Sequence, residues 1–169
     1  MRVSLLLFLL LIFGLISCKK EKCDSTKPII SFDNFITFAD TGNGFNTAKL
    51  TILFEDCNGD VGLDDDNLEP PFDTASQYYY NLKLEYFELQ NGKWVQLEDL
   101  EPPFYYRIPD LTPEGRTKNL EGTIEVSLEP TYYLPFSNYD TLKYSIQLFD
   151  RELNGSNIIE TPEIIRPDF

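Results

Sequence analysis

Asp56, Asn58 and Asp60 set side-chain oxygens at alternate positions, the first half of the D-x-D/N-x-D/N-G pattern that wraps a calcium ion. Asp64, Asp65 and Asp66 extend the supply of oxygen a few residues further on. Asp56, Asn58, Asp60 and Asp64 are therefore the candidate ligands for Ca2+, a cofactor that the sequence suggests without requiring. Two positions depart from the pattern. Val61 stands where the loop glycine belongs, and Asn67 where a bidentate glutamate would close the shell. No flanking helix is expected either. The alternative is a solvated Asn58-Gly59 turn in a strongly acidic chain.

A second set of residues could recognise a partner. Leu68-Glu69-Pro70-Pro71-Phe72 recurs as Leu100-Glu101-Pro102-Pro103-Phe104. Phe72 and Phe104 are then either aromatic anchors of a repeated binding loop or rings tucked over the open end of a core. Tyrosines cluster at Tyr78 to Tyr80, Tyr105-Tyr106 and Tyr132-Tyr133. Such rings stack on sugars, or they sit half-buried as cross-strand partners.

Catalysis is poorly provided for. The chain has no histidine, which removes the commonest general base, the Ser-His nucleophile pair and the usual zinc ligand together. Two carboxylates at a suitable separation can hydrolyse a glycoside, but with 28 acidic residues such a pair is nearly unavoidable and says little. We expect no enzyme. The 14 basic residues leave a net charge of −14, which argues against nucleic acid and against direct adhesion to an anionic lipid surface.

The elements that must position these residues read as strands. Ile29 to Phe38 is one, and Asp40 to Gly44 a dense turn after it. Leu50, Ile52 and Phe54 alternate with polar neighbours, and a long loop follows from Asp56 to Gln77. Tyr78 to Leu89 is the longest candidate, and Asn91-Gly92 turns it into Trp94 to Leu97. Phe104 to Ile108 is a short strand, and Thr112 to Gly115 a turn. Ile124, Val126 and Leu128 alternate until Pro130 stops them, as do Leu142, Tyr144, Ile146 and Leu148. A last strand, Ile158 to Ile165, follows the Leu153 to Asn157 turn. Seven to eight antiparallel strands without helices imply an all-β, immunoglobulin-like β-sandwich, with a jelly roll or small barrel as the competing fold.

Ahead of this lies a leader. Arg2 precedes a nearly unbroken apolar run, Val3 to Ile16, too short to span a bilayer as a helix. Leu15-Ile16-Ser17-Cys18 resembles a bacterial lipobox, whose cysteine is lipidated and becomes the new N-terminus. An ordinary signal peptide cut near Ser17, or a short N-terminal anchor, is the other reading. The chain thus divides into a signal peptide at 1–17, a lipidated tether at 18–27 and a β domain at 28–169. Lys19 is not the aspartate of an inner-membrane retention signal, which by resemblance favours the outer membrane. Setting Cys18 aside leaves Cys23 and Cys57, an even pair for which a disulfide is the default in an oxidising compartment, with two free thiols as the alternative.

Two further stretches carry a likeness. Phe149-Asp150-Arg151-Glu152-Leu153-Asn154-Gly155-Ser156-Asn157 looks like the final hairpin of Ig-like domains in Bacteroidota envelope proteins. With Phe54 to Leu63 and the lipobox, the chain is similar to a family of Bacteroidota envelope lipoproteins. That resemblance implies a compartment and a fold, and no activity. By analogy with the loop grouping of such sandwiches, the Asp56 loop, both Pro-Pro-Phe segments and the Asp150 turn gather at one end. Asp150 then joins the candidate ligands, and a cation or Arg151 must offset so many carboxylates. The expected function is a non-catalytic, lipid-anchored envelope protein, an accessory or interaction module whose partner is an envelope protein or a glycan. A glycan-binding module is the first alternative, and a carboxylate hydrolase the second.

Overall fold

Period-two alternation governs the core of the chain. In a computed structural model that describes residues 25–39, 42, 44–112 and 119–167, Leu142, Tyr144, Ile146 and Leu148 are all buried while the residues between them are not. The strands are β1 (Ile29–Phe38), β2 (Thr47–Asp56), β3 (Leu82–Gln90), β4 (Lys93–Gln96), β5 (Tyr105–Tyr106), β6 (Leu120–Leu128), β7 (Thr141–Leu148), β8 (Ile159–Glu160) and β9 (Ile164–Ile165). No helix occurs among the described residues.

Two antiparallel sheets face each other and do not close into a barrel. One has the order β1-β2-β6; the other runs β4-β3-β7-β8, with β5 also on β3 and β9 also on β7. All pairings are antiparallel, with Ile52 opposite Ile124 in the first sheet and Leu84 opposite Ile146 in the second. The fold is an all-β sandwich, and its division of strands is immunoglobulin-like: first, second and sixth on one side, third, fourth, seventh and eighth on the other.

Between the sheets lie Leu50 and Ile52 from β2, Leu84 from β3 and Ile146 from β7, each at most 1 % exposed. Among the described residues no Cys-Trp-Cys centre holds them. A ring cluster fills that place: Tyr86 stacks on Phe104 at 5.4 Å between centroids, and Tyr144 meets both edge-on. The Tyr144 hydroxyl donates to the Tyr132 carbonyl.

Three expected elements differ in extent. Tyr78 to Tyr80 lie outside any strand, and β3 begins only at Leu82. The expected strand at Phe104 to Ile108 narrows to Tyr105–Tyr106. The last strand is split, because Pro162 has no N–H to give the ladder, and β8 and β9 pair β7 on either side of the break. The free edge of β1 is met by a side chain. Asn157 Oδ1 accepts the Ile30 N–H at 2.8 Å, and its Nδ2 donates to the Ile30 carbonyl at 2.8 Å.

Candidate functional site

The end of β2 is where polar groups are buried without obvious compensation. Asp56, its last residue, sits opposite Leu120 of β6 and is 0 % exposed. Its Oδ2 accepts the backbone N–H groups of Asp60 at 2.7 Å and Val61 at 3.0 Å, which folds the loop back over the strand end. Gly59, at φ 71°, supplies the left-handed residue that this turn needs.

The final hairpin packs against the same loop. Val61 forms an isolated antiparallel bridge with Asp150, and the Arg151 N–H donates to the Asp60 carbonyl at 3.1 Å. Asp150, also buried, accepts the Asn154 N–H at 2.8 Å and its side-chain amide at 3.0 Å. The Asp150 turn therefore stands at the same end as Asp60.

The resulting field is strongly negative. Burial first, then the charges of Asp150, Asp56 and Glu152, push the Asp60 carboxyl up to about 6, against a smaller pull from Arg151. Burial also raises Asp150; its hydrogen bonds from Asn154 work the other way, and Asp56 adds to the rise. Arg151 is the cation that could neutralise the group, but its guanidinium is directed elsewhere. It forms an ion pair with Asp110, and donates to the Thr112 hydroxyl at 3.0 Å and the Gly62 carbonyl at 3.4 Å. Burial alone would raise Asp110, yet the hydroxyl and N–H of Thr112, then Arg151, outweigh it and hold that carboxyl below its ordinary range.

Three oxygens in this loop have no hydrogen-bond partner among the described residues: Asp56 Oδ1, Asn58 Oδ1 and Asp60 Oδ1, each shut off from solvent. Asp64 is not with them. It is exposed, its N–H is held by Asn67 Oδ1 at 2.8 Å, and its carbonyl accepts Arg107 Nη2 at 3.0 Å. The Asn67 side chain closes a separate turn that carries Asp64 outward, so Asp64 leaves the set of candidate ligands. Among the described residues no three His, Cys, Asp or Glu side chains surround a common point. The three orphaned oxygens belong to two carboxylates and one carboxamide.

The wall beside the loop is not the one expected. The Pro-Pro-Phe segment at Leu100 to Phe104 lies along β3 and does not ring the acidic cluster. Residues 108–112 do: Leu63 N–H donates to the Ile108 carbonyl at 3.0 Å, Leu111 N–H to Val61 at 3.4 Å, and the Thr112 hydroxyl to Gly59 at 2.9 Å. Only Asp110-x-Thr112, an Asx turn with Thr112 N–H on Asp110 Oδ1, could have marked this wall in the sequence. Arg107 fastens the far part of the loop, donating to the carbonyls of Tyr79, Asp64 and Asn67.

Phe104 is corrected as an exposed anchor, since it packs on the buried rings of Tyr86 and Tyr144 while its carbonyl accepts the Leu84 N–H. Phe72 is half-buried in a turn closed onto Glu69. One copy of the pentapeptide is thus a turn and the other an extension of a sheet edge, not a repeated loop.

A groove of about 410 Å³ opens elsewhere, between Leu100–Tyr106 and the segment after β6, with Tyr80, Tyr106 and Tyr133 on its walls and Glu101 and Glu129 among its lining. Of its tyrosines, Tyr80 packs edge-on against Tyr105 at 6.1 Å, and also against Tyr79, outside the lining, at 4.9 Å. Tyr80 and Tyr105 thus form no flat platform.

Cys57 is disulfide-bonded. Cys18 and Cys23 fall outside the described residues, and so do the lipidation and the pairing expected of them. No family model matches this chain, and neither a curated protein nor a solved structure is similar to it.

Proposed function

We propose that this chain is a non-catalytic, lipid-anchored protein of the outer membrane, whose sandwich is an interaction module for a segment of another envelope protein. The observation that carries the reading is the groove beside β5. It is concave, lined by tyrosine and proline, and bounded by Glu101 and Glu129, which suits an apolar segment bearing a positive charge. Tyrosines packed edge-on favour such a segment over a sugar ring, which needs an open aromatic face. Glycan binding is the second reading, because the same tyrosines line the groove.

Cross-linking in intact envelopes tests the module. A discrete adduct is expected with the wild-type chain and should disappear with Glu101→Lys and Glu129→Lys together. Glu163→Lys, which reverses an exposed charge outside the groove lining, should leave it in place. An adduct indifferent to the groove changes would sink the protein-partner reading, and an oligosaccharide whose binding is lost with Tyr80→Ala would replace it with the glycan one.

Anchoring rests on Cys18 and on which cysteine Cys57 takes. In this reading Cys57 pairs with Cys23, leaving Cys18 for the lipid. Peptide mapping without reduction should join Cys57 to Cys23, and Cys18→Ala should end lipid labelling and membrane attachment. A Cys18–Cys57 peptide, or attachment unchanged in the variant, removes the lipid anchor from the account.

A further inference from the structure

Asp56 is the best-enclosed acidic group of the loop end, and only half of its carboxylate is used. Oδ2 takes two backbone N–H groups from residues 60 and 61, so the carboxylate points into the loop that carries Asn58 and Asp60. Oδ1 of the same group has no donor among the described residues, although the side chain is 0 % exposed. A buried ionised oxygen without a partner is among the costliest arrangements in a protein.

It is not alone. Asn58 Oδ1 and Asp60 Oδ1 are equally enclosed and equally unpartnered, which makes three acceptors at alternate positions of one five-residue stretch. The charge of Asp56 acts on both Asp60 and Asp150, so the carboxylates share one neighbourhood. A water molecule has only two hydrogens for three acceptors, and brings no charge to offset two carboxylates. Arg151, whose charge acts on Asp60, gives its guanidinium to Asp110, Thr112 and Gly62. A cation accepts electron pairs from oxygens of this kind and offsets their charge.

We propose that Asp56 Oδ1, Asn58 Oδ1 and Asp60 Oδ1 bind a hard divalent cation, Ca2+, which closes the loop over the end of β2. The ligand chemistry selects the metal class. Every donor is an oxygen and none is sulfur or imidazole, which excludes the preferences of zinc and copper. Ca2+ takes six to eight oxygens in irregular geometry and accepts water for the remainder, whereas Mg2+ demands a near-ideal octahedron. All three ligands belong to the loop after β2, and the Val61–Asp150 bridge joins that loop to the final hairpin, so a cation here braces the loop against which the hairpin packs. The site depends neither on the groove nor on the anchor.

The test uses the full-length protein in detergent, stripped with chelator and titrated with CaCl2 alone. Calorimetry should show one site per chain with a dissociation constant on the order of 0.1–1 mM, the range of extracellular modules. Saturating Ca2+ should raise the melting temperature by about 5 °C, and equal Mg2+ by less. Asp60→Asn should abolish the heat and the rise. Asn58→Ala touches no hydrogen bond of the turn, so it should leave the metal-free melting curve unchanged and weaken binding about tenfold or more. Asp64→Ala, on the exposed turn, should bind as the wild type does. Identical melting curves in chelator and calcium overturn the proposal, as does a rise that survives Asp60→Asn or one that Asp64→Ala removes.

Discussion

Tyr144→Ala is expected to cost about 3–5 kcal/mol of folding stability, a large share of what a domain of this size holds. Tyr144 is 0 % exposed and touches three other rings, Phe35, Tyr86 and Phe104, at centroid distances of 6.2, 5.6 and 5.4 Å. Truncation removes the apolar area of the ring and leaves a cavity that β7, paired on both sides, cannot close by moving inward. It also deprives the Tyr132 carbonyl of its hydroxyl donor. Tyr144→Phe separates the two effects. It keeps the ring and loses only the hydrogen bond, at about 1–2 kcal/mol. Urea unfolding of the three proteins at one pH measures both, with similar slopes expected for all. Equal losses in the two variants would mean that the hydroxyl, not the ring packing, carries the residue's contribution.

The second large effect belongs to Gly62→Ala. Gly62 has φ +103°, where an L side chain is strained, and an added Cβ would lie 2.1 Å from the Pro109 carbonyl oxygen and 2.6 Å from the Asp110 Cα. Both obstacles are backbone, so no side chain can swing aside. Either the acidic loop or the 108–112 wall must shift, which breaks the Leu63–Ile108 and Thr112–Gly59 hydrogen bonds. The expected cost is about 3 kcal/mol or more. Gly92→Ala is the control. At φ +78° it meets nothing within 4 Å, so it should show only the conformational strain, about 1–2 kcal/mol. Thermal melts that place the two variants together would show that the loop and its wall are not rigidly apposed.

These elements are legible in the sequence where a local rule is sufficient. The alternation in β7 and the Asn91-Gly92 turn leave little freedom of interpretation, and both stand as read. The loop grouping expected of an immunoglobulin-like sandwich put the Asp150 turn at the Asp60 end, 90 residues away in the chain, and the Val61–Asp150 bridge stands there. Other features had no local signal. Tyr78 to Tyr80 have strand composition but not strand pairing, because the long loop delivers the chain to β7 only at Leu82. Asp64 looked equivalent to Asp60 until the Asn67 side chain fixed its turn outward. Phe72 and Phe104 share identical neighbours, yet only one has buried rings within reach. The 108–112 wall is irregular backbone, for which no periodicity exists to be read.

The Asn157 amide has a consequence for the first strand. By presenting an acceptor and a donor to the two halves of Ile30, it stands in for one peptide unit of a missing neighbour. A strand is usually held in place only by the partner it is zipped to, and slippage by one residue turns every side chain to the wrong face. Here β1 has a second witness to its alignment, in the segment that leads into β8. Sliding along β2 would break both Asn157 bonds at the first step, before any ladder bond could re-form. The same amide also occupies the opening rung of an exposed edge, so a stray strand from another molecule could not begin to zip there without first evicting it.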